Sequence, residues 1–327
     1  MVIKSVRVFI GTRKWGRGTG ATMRTDSILL VGIATFLALG GTAEAQAYRW
    51  VDAKGTVHYT QTQPPPDAVE TPRDLAALAD QVLDRSGAKR AIARIPGHVQ
   101  AGIRQRNAQL SPATLATLSD IMTQAFSADT LYARVREAFV KQGDPRRLEL
   151  MLEFLQSPLA KQMTELELDA TSPEGLAEIK QFAERLKTSP PPPARLALVR
   201  KLDAASGATD LSIEVAIAVF RSMVKAIDAA LPPDKRLKPG ELDVILAKMR
   251  AAMYDSARVA MSIQLLFTYR SVPDKELSDY VQFYESDPGK WFVQVSRKGF
   301  LDAISAAATS GAEEMTRIFP QKTQARP

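Results

Sequence analysis

The sequence predicts a mainly α-helical protein, built as two tandem helical repeats with a small N-terminal β-hairpin module. Three observations carry that expectation. Apolar residues recur at helical spacing through most of the chain, three matched segments recur in the same order, and one short aromatic and β-branched stretch near Tyr48 has strand character. At 327 residues and 45% hydrophobic content the chain is long enough to bury a substantial core.

Residues 1–47 read as an export leader. The run from Ile28 to Gly40, ILLVGIATFLALG, suits a signal h-region and is shorter than a membrane span of about 20 residues. Arg24 precedes it, and small-x-small cleavage sites follow at Ala45 and Ala47. Translation can start at Met1 or Met23. Cleavage leaves a mature chain beginning between Gln46 and Tyr48, located in the periplasm and without a transmembrane helix.

The leader also accounts for much of the charge. The whole chain carries 43 Lys and Arg against 36 Asp and Glu, a net charge of +7. Six of those cations and two of those anions lie in residues 1–47, so the remainder is only +3. That balance gives no electrostatic case for a nucleic-acid partner. The absence of Cys excludes disulfides, thiolate metal sites and Cys nucleophiles.

Residues 48–72 form the hairpin module with its Pro-rich tail. Tyr48-Arg49-Trp50-Val51 and Thr56-Val57-His58-Tyr59-Thr60 are short strand-like runs joined by Asp52-Ala53-Lys54-Gly55, where Gly55 suits the turn. Pro64 to Pro66 cannot continue a ladder. The rings of Tyr48, Trp50 and Tyr59 either pack together or stack on a glycan. The stretch YRWVDAKGTVHYTQTQPPP closely resembles the domain of unknown function 4124 family, found at the mature N-terminus of many proteobacterial envelope proteins. The resemblance covers about residues 48 to 67 and implies an exported location more than an activity.

The rest of the chain repeats itself. Leu75–Ala88 matches Arg195–Ala208, both helical stripes stopping at Ser-Gly, where Gly87 and Gly207 suit a left-handed cap. Leu110–Leu115 matches Leu237–Leu242, each with Pro where a helix begins, and Phe154–Lys161 matches Phe283–Lys290. The offsets rise slowly through 120, 127 and 129, as small loop insertions inside one repeated unit would produce. Ser189 to Pro193 is a stiff spacer between the copies. The expected division is a first repeat over 73–188, a linker over 189–193, a second repeat over 194–319 and a disordered tail over 320–327. The second copy, through Asp274-Lys275-Glu276-Leu277, Phe283-Tyr284 and Ser286, Pro288, Gly289, Lys290, resembles the domain of unknown function 2059 family, which implies an exported helical fold.

Physical roles for the shared motif follow from residue type. Ser157 and Pro158, like Ser286, Asp287 and Pro288, should cap and launch a helix at a corner. Gly289, with Ala160 as its counterpart, keeps the backbone bare for a close helix approach. Phe154 and Phe283 should be equivalent, buried rings filling the wedge at that corner. Ile213, Ile217, Phe220, Val224 and Ile227, and Leu242, Ile245, Met249 and Met253, read as core stripes.

Catalytic signals are sparse. His58 and His98 fall in a hairpin and in a second helix that Pro96 should break, so no His pair can hold a metal. Ser86-x-x-Lys89 and Ser222-x-x-Lys225 lack the companion motifs of penicillin-binding enzymes. Glu149, Glu153, Glu165 and Glu167 are expected on exposed helix faces, paired with Arg146, Arg147 and Lys161. No catalytic, cofactor or metal residue is assigned. The expected function is a non-enzymatic periplasmic binding or structural module whose partner is an envelope protein or glycan. The alternative is a hydrolase acting on envelope polymers through carboxylates.

Overall fold

A computed structural model describes residues 48–51, 57–60, 74–107 and 110–319. The leader, the hairpin turn at 52–56, the Pro-rich tail and residues 320–327 lie outside the described residues. Two strands, β1 (Tyr48–Val51) and β2 (Val57–Thr60), pair antiparallel with Tyr48 opposite Thr60 and Val51 opposite Val57.

The described chain is otherwise mainly α. Seven helices precede the Pro-rich connector: α1 (Leu75–Arg85), α2 (Ala88–Arg106), α3 (Pro112–Ala125), α4 (Ala128–Lys141), α5 (Pro145–Leu155), α6 (Pro158–Ala170) and α7 (Pro173–Thr188). Five follow it: α8 (Pro193–Ser206), α9 (Ala208–Ala229), α10 (Glu241–Thr268), α11 (Asp274–Tyr284) and α12 (Asp287–Ile318). A short 3-10 turn at Pro233–Lys235 lies between α9 and α10.

One device sets most of the corners. Ser111, Ser127, Asp144, Ser157, Ser172 and Ser286 each place a side-chain oxygen on the amide of the second or third residue of the helix that follows. This satisfies donors that the helix start leaves open. Proline stands directly after the cap in α3, α5, α6 and α7, where its missing N–H costs nothing. Gly87, Gly207 and Gly240 adopt positive φ, the first two at the Ser-Gly stops read from the sequence. Pro239 does not open its helix: Gly240 is the cap, and α10 begins at Glu241.

Two further sequence expectations change. Pro96 lies inside an unbroken α2, the helix continuing through it to Arg106. The stripe Leu242, Ile245, Met249, Met253 is only half-buried, because the first half of α10 extends along α9 rather than into the main core.

That main core is continuous across the connector. Val82, Leu131, Phe139, Leu148 and Met163 share one cluster with Leu202, Leu265, Leu277, Phe292 and Phe300, all buried. α12 lies against α3, α4 and α5, while α6 and α7 lie against α10. Gly299 sits so close to α4 that a Cβ there would meet Ala138 at 2.8 Å, and Gly311 is equally tight against Met122 of α3 at 2.9 Å. Bare positions on α12 thus set its distance from the first half of the chain.

Candidate functional site

α6 buries Ala160, Met163, Thr164, Glu167 and Leu168, a run with the i, i+3, i+4, i+7, i+8 spacing of a core-facing stripe. Glu167 therefore points inward. It is 2% exposed, which overturns the expectation that it sits on a solvated face. Glu153 and Glu165 are exposed as expected, and Glu165 takes both guanidinium nitrogens of Arg90 from α2.

Glu167 meets the tyrosines of the second half. Tyr269, the residue that ends α10, and Tyr280 of α11 each donate their hydroxyl to Oε1 at 2.7 Å. Their rings pack edge to face at 5.9 Å, and Tyr284, one turn further along α11, packs on Tyr280 at 5.5 Å. Tyr269, Tyr280 and Tyr284 are all fully buried. Oε2 of Glu167 has no hydrogen-bond partner. Burial without a cation pushes the carboxyl up to about 8, although the two phenol hydrogen bonds pull it the other way. Burial and the carboxylate also raise Tyr269 and Tyr280 well above the ordinary phenol value. The environment thus favours the neutral carboxyl over the charged one.

Two arginines frame the cluster. Arg195 of α8 donates to the backbone carbonyl of Tyr269 and, at 2.7 Å, to Asp274, tying the end of α10 to the start of α11. Arg94 of α2 donates to the carbonyl of Leu168 and to the Thr171 hydroxyl, capping α6 one residue from Glu167. Near it His98 is held below its ordinary value, first by burial and then by the Arg94 charge. Glu167 is closed off from solvent. Two open clefts lie away from it.

The larger cleft, about 650 Å³, runs between α3, α4 and the last turns of α12. Ile121 and Ala125 give it an apolar floor, and Gln124, Arg134, Ser310 and Arg317 supply polar groups. The other, about 430 Å³, lies between α9 and α12, with Ser222, Lys225 and Thr309 on its walls. Both are open to solvent. Among the described residues no three His, Asp or Glu side chains converge where they could hold a metal. No helix among them is long and apolar enough to cross a membrane.

The structure treats the sequence candidates unevenly. Phe154 and Phe283 are buried, and they do more than fill separate corners: their rings stack on each other at 4.9 Å and 13°. Ser157 and Ser286 cap α6 and α12 as expected, with Pro158 and Pro288 in the first turn of each. A Cβ on Gly289 would strike the carbonyl oxygen of Phe283, so the bare position serves the corner itself rather than a distant helix. Ser86 and Ser222 are buried, Lys89 and Lys225 exposed, and the Ser222 hydroxyl is engaged with Ser305 and Thr309 of α12. The side chains of Tyr48, Trp50, His58 and Tyr59 lie outside the described residues.

Residues 34–81 match the family described as Domain of unknown function (DUF4124). The DUF4124 match reaches further than the hairpin stretch that suggested it, taking in both strands and the first residues of α1. No curated protein and no solved structure matches the chain.

Proposed function

We propose that this is an exported protein of the bacterial cell envelope that acts as a non-enzymatic binding or structural module. The observation that carries the non-enzymatic reading is the position of Glu167. A hydrolase working through carboxylates needs a displaced carboxyl that a substrate can reach. The carboxyl most strongly displaced is sealed in the core and hydrogen-bonded by two buried phenols. The open cleft between α3, α4 and α12 offers a surface a partner can reach: a small apolar patch at Ile121 and Ala125 bordered by Arg134 and Arg317 and by Glu313 and Glu314.

The helical part is proposed to be two repeats, 73–188 and 194–319, the second resembling the domain of unknown function 2059 family. Reciprocal packing supports this. α1 lies on α2, α4 and α5 as α8 lies on α9, α10 and α11. α12 reaches over to α4 and α5, as α6 reaches over to α10 and α11. α10 takes the place of α3 and α4, and α12 that of α6 and α7, the first copy being interrupted at Ser127 and Ser172. The stacked pair of Phe154 and Phe283 would then lie on a pseudo-two-fold axis. The hairpin at 48–72 is proposed as an accessory contact for an envelope protein or glycan.

The experiment is fractionation of cells carrying the chain at native level, with N-terminal sequencing of the protein from the periplasmic fraction. Recovery there, beginning between Gln46 and Tyr48, is the expected result. Recovery from the cytoplasm with residues 1–47 intact would overturn the proposed location.

A further inference from the structure

α10 is held on one side only for its first four turns. There α9 supplies Ile213, Ile217 and Phe220 against Leu242, Leu246 and Ala257, a small cluster separate from the main core. The opposite face is open. Val244 and Val259 are 54% and 50% exposed, and Lys248, Ala251, Ala252 and Asp255 are exposed between them. At 3.6 residues per turn, Val244, Lys248, Ala251, Asp255 and Val259 fall on one face, about 22 Å from end to end.

The order of these residues is self-complementary on reversal. In an antiparallel pair whose two-fold axis passes between residues 251 and 252, Val244 of one copy faces Val259 of the other, and Ala251 faces Ala252. Lys248 then faces Asp255, twice by symmetry. Among the described residues Lys248 has no ion-pair partner in its own chain. Asp255 is 90% exposed and has only Arg258 at 3.6 Å. A parallel pair in register would instead set Lys248 on Lys248 and Asp255 on Asp255.

We infer that the exposed face of α10 is a homodimer interface, in which two copies pair antiparallel about Ala251 and Ala252 with reciprocal Lys248–Asp255 contacts. Alanines at the axis let the backbones approach closely, valines at both ends exclude water, and the crossed charges fix direction and register. A helix pair of this length is small beside a standard protein interface, so the dimer is weak and exchanges. The inference does not depend on what the cleft between α3, α4 and α12 binds.

Sedimentation velocity on the purified chain, expressed from its full coding sequence, should show a monomer and dimer whose ratio follows concentration. Lys248→Glu and Asp255→Lys should each weaken the dimer about tenfold or more, and the double exchange should restore it. Circular dichroism on each variant checks that the monomer is intact. Because the chain has no Cys, a direct register test is available. A mixture of Val244→Cys and Val259→Cys variants should form the mixed disulfide in preference to either symmetric one. A monomer at every concentration, a dimer indifferent to both charge reversals, or symmetric disulfides in preference to the mixed one would overturn the inference.

Discussion

Glu167 holds its proton more tightly in the folded protein, at about 8, than an ordinary carboxyl at 4.5 does. Folding is therefore favoured by protonation. Its contribution is fully present below 4.5 and is lost as the pH rises through about 8. Chemical denaturation between pH 5 and pH 9 should show stability falling with pH, by an amount on the order of a few kcal/mol for a shift of this size. Glu167→Gln keeps an acceptor for Tyr269 and Tyr280 and cannot ionise, so its stability should lose most of that slope. A pH dependence unchanged in the variant would assign the effect elsewhere. The inward position of Glu167 was legible in the sequence, since it completes the stripe of Met163, Thr164 and Leu168. The nearby basic residues Arg146, Arg147 and Lys161 and the usual exposure of carboxylates favour the opposite reading. The tyrosine partners, more than 100 residues away, left no local signal.

The corners depend on short-range chemistry, which is why the sequence announces them. Ser157-Pro158 and Ser286-Asp287-Pro288 were readable as caps, and the same pattern at Asp144-Pro145 and Ser172-Pro173 yields to the same rule. Pro96 did not obey it: α2 carries the proline in its interior, with Ile92 and Ile95 on the preceding turn buried in the core. The Gly289 corner gives a sharp test. Gly289→Ala drives a methyl into the backbone of Phe283 and Tyr284, neither of which can rotate away. Thermal unfolding should report a loss of about 1–3 kcal/mol. Ala160, the third residue of α6 as Gly289 is of α12, carries its Cβ in a buried position, so Ala160→Gly should cost only about 1 kcal/mol. Equal penalties at the two sites would contradict the geometry described for Gly289.

The matched segments mark helix ends and starts, but they do not say how the two halves of the chain pack together. A stiff spacer at 189–193 is expected to separate two units, yet the buried cluster runs across it, with α12 seated on α3, α4 and α5. Contacts between distant segments are not written in local periodicity. Phe154 and Phe283 bring the two halves together ring on ring, so each change to Ala should cost roughly 3–5 kcal/mol. Because the rings share one contact, the double variant should cost less than the sum of the two. Additive losses would mean that the stack couples nothing. The central claim, that an exported helical scaffold binds an envelope component through the cleft beside α12, is tested most directly by photo-crosslinking in living cells. A photoreactive residue in place of Arg134, in the cleft, and another in place of Glu184, on an exposed turn of α7, are compared in the periplasmic fraction. The account predicts one discrete adduct from position 134 and none from position 184. No adduct from the cleft, or the same adducts from both positions, would contradict it.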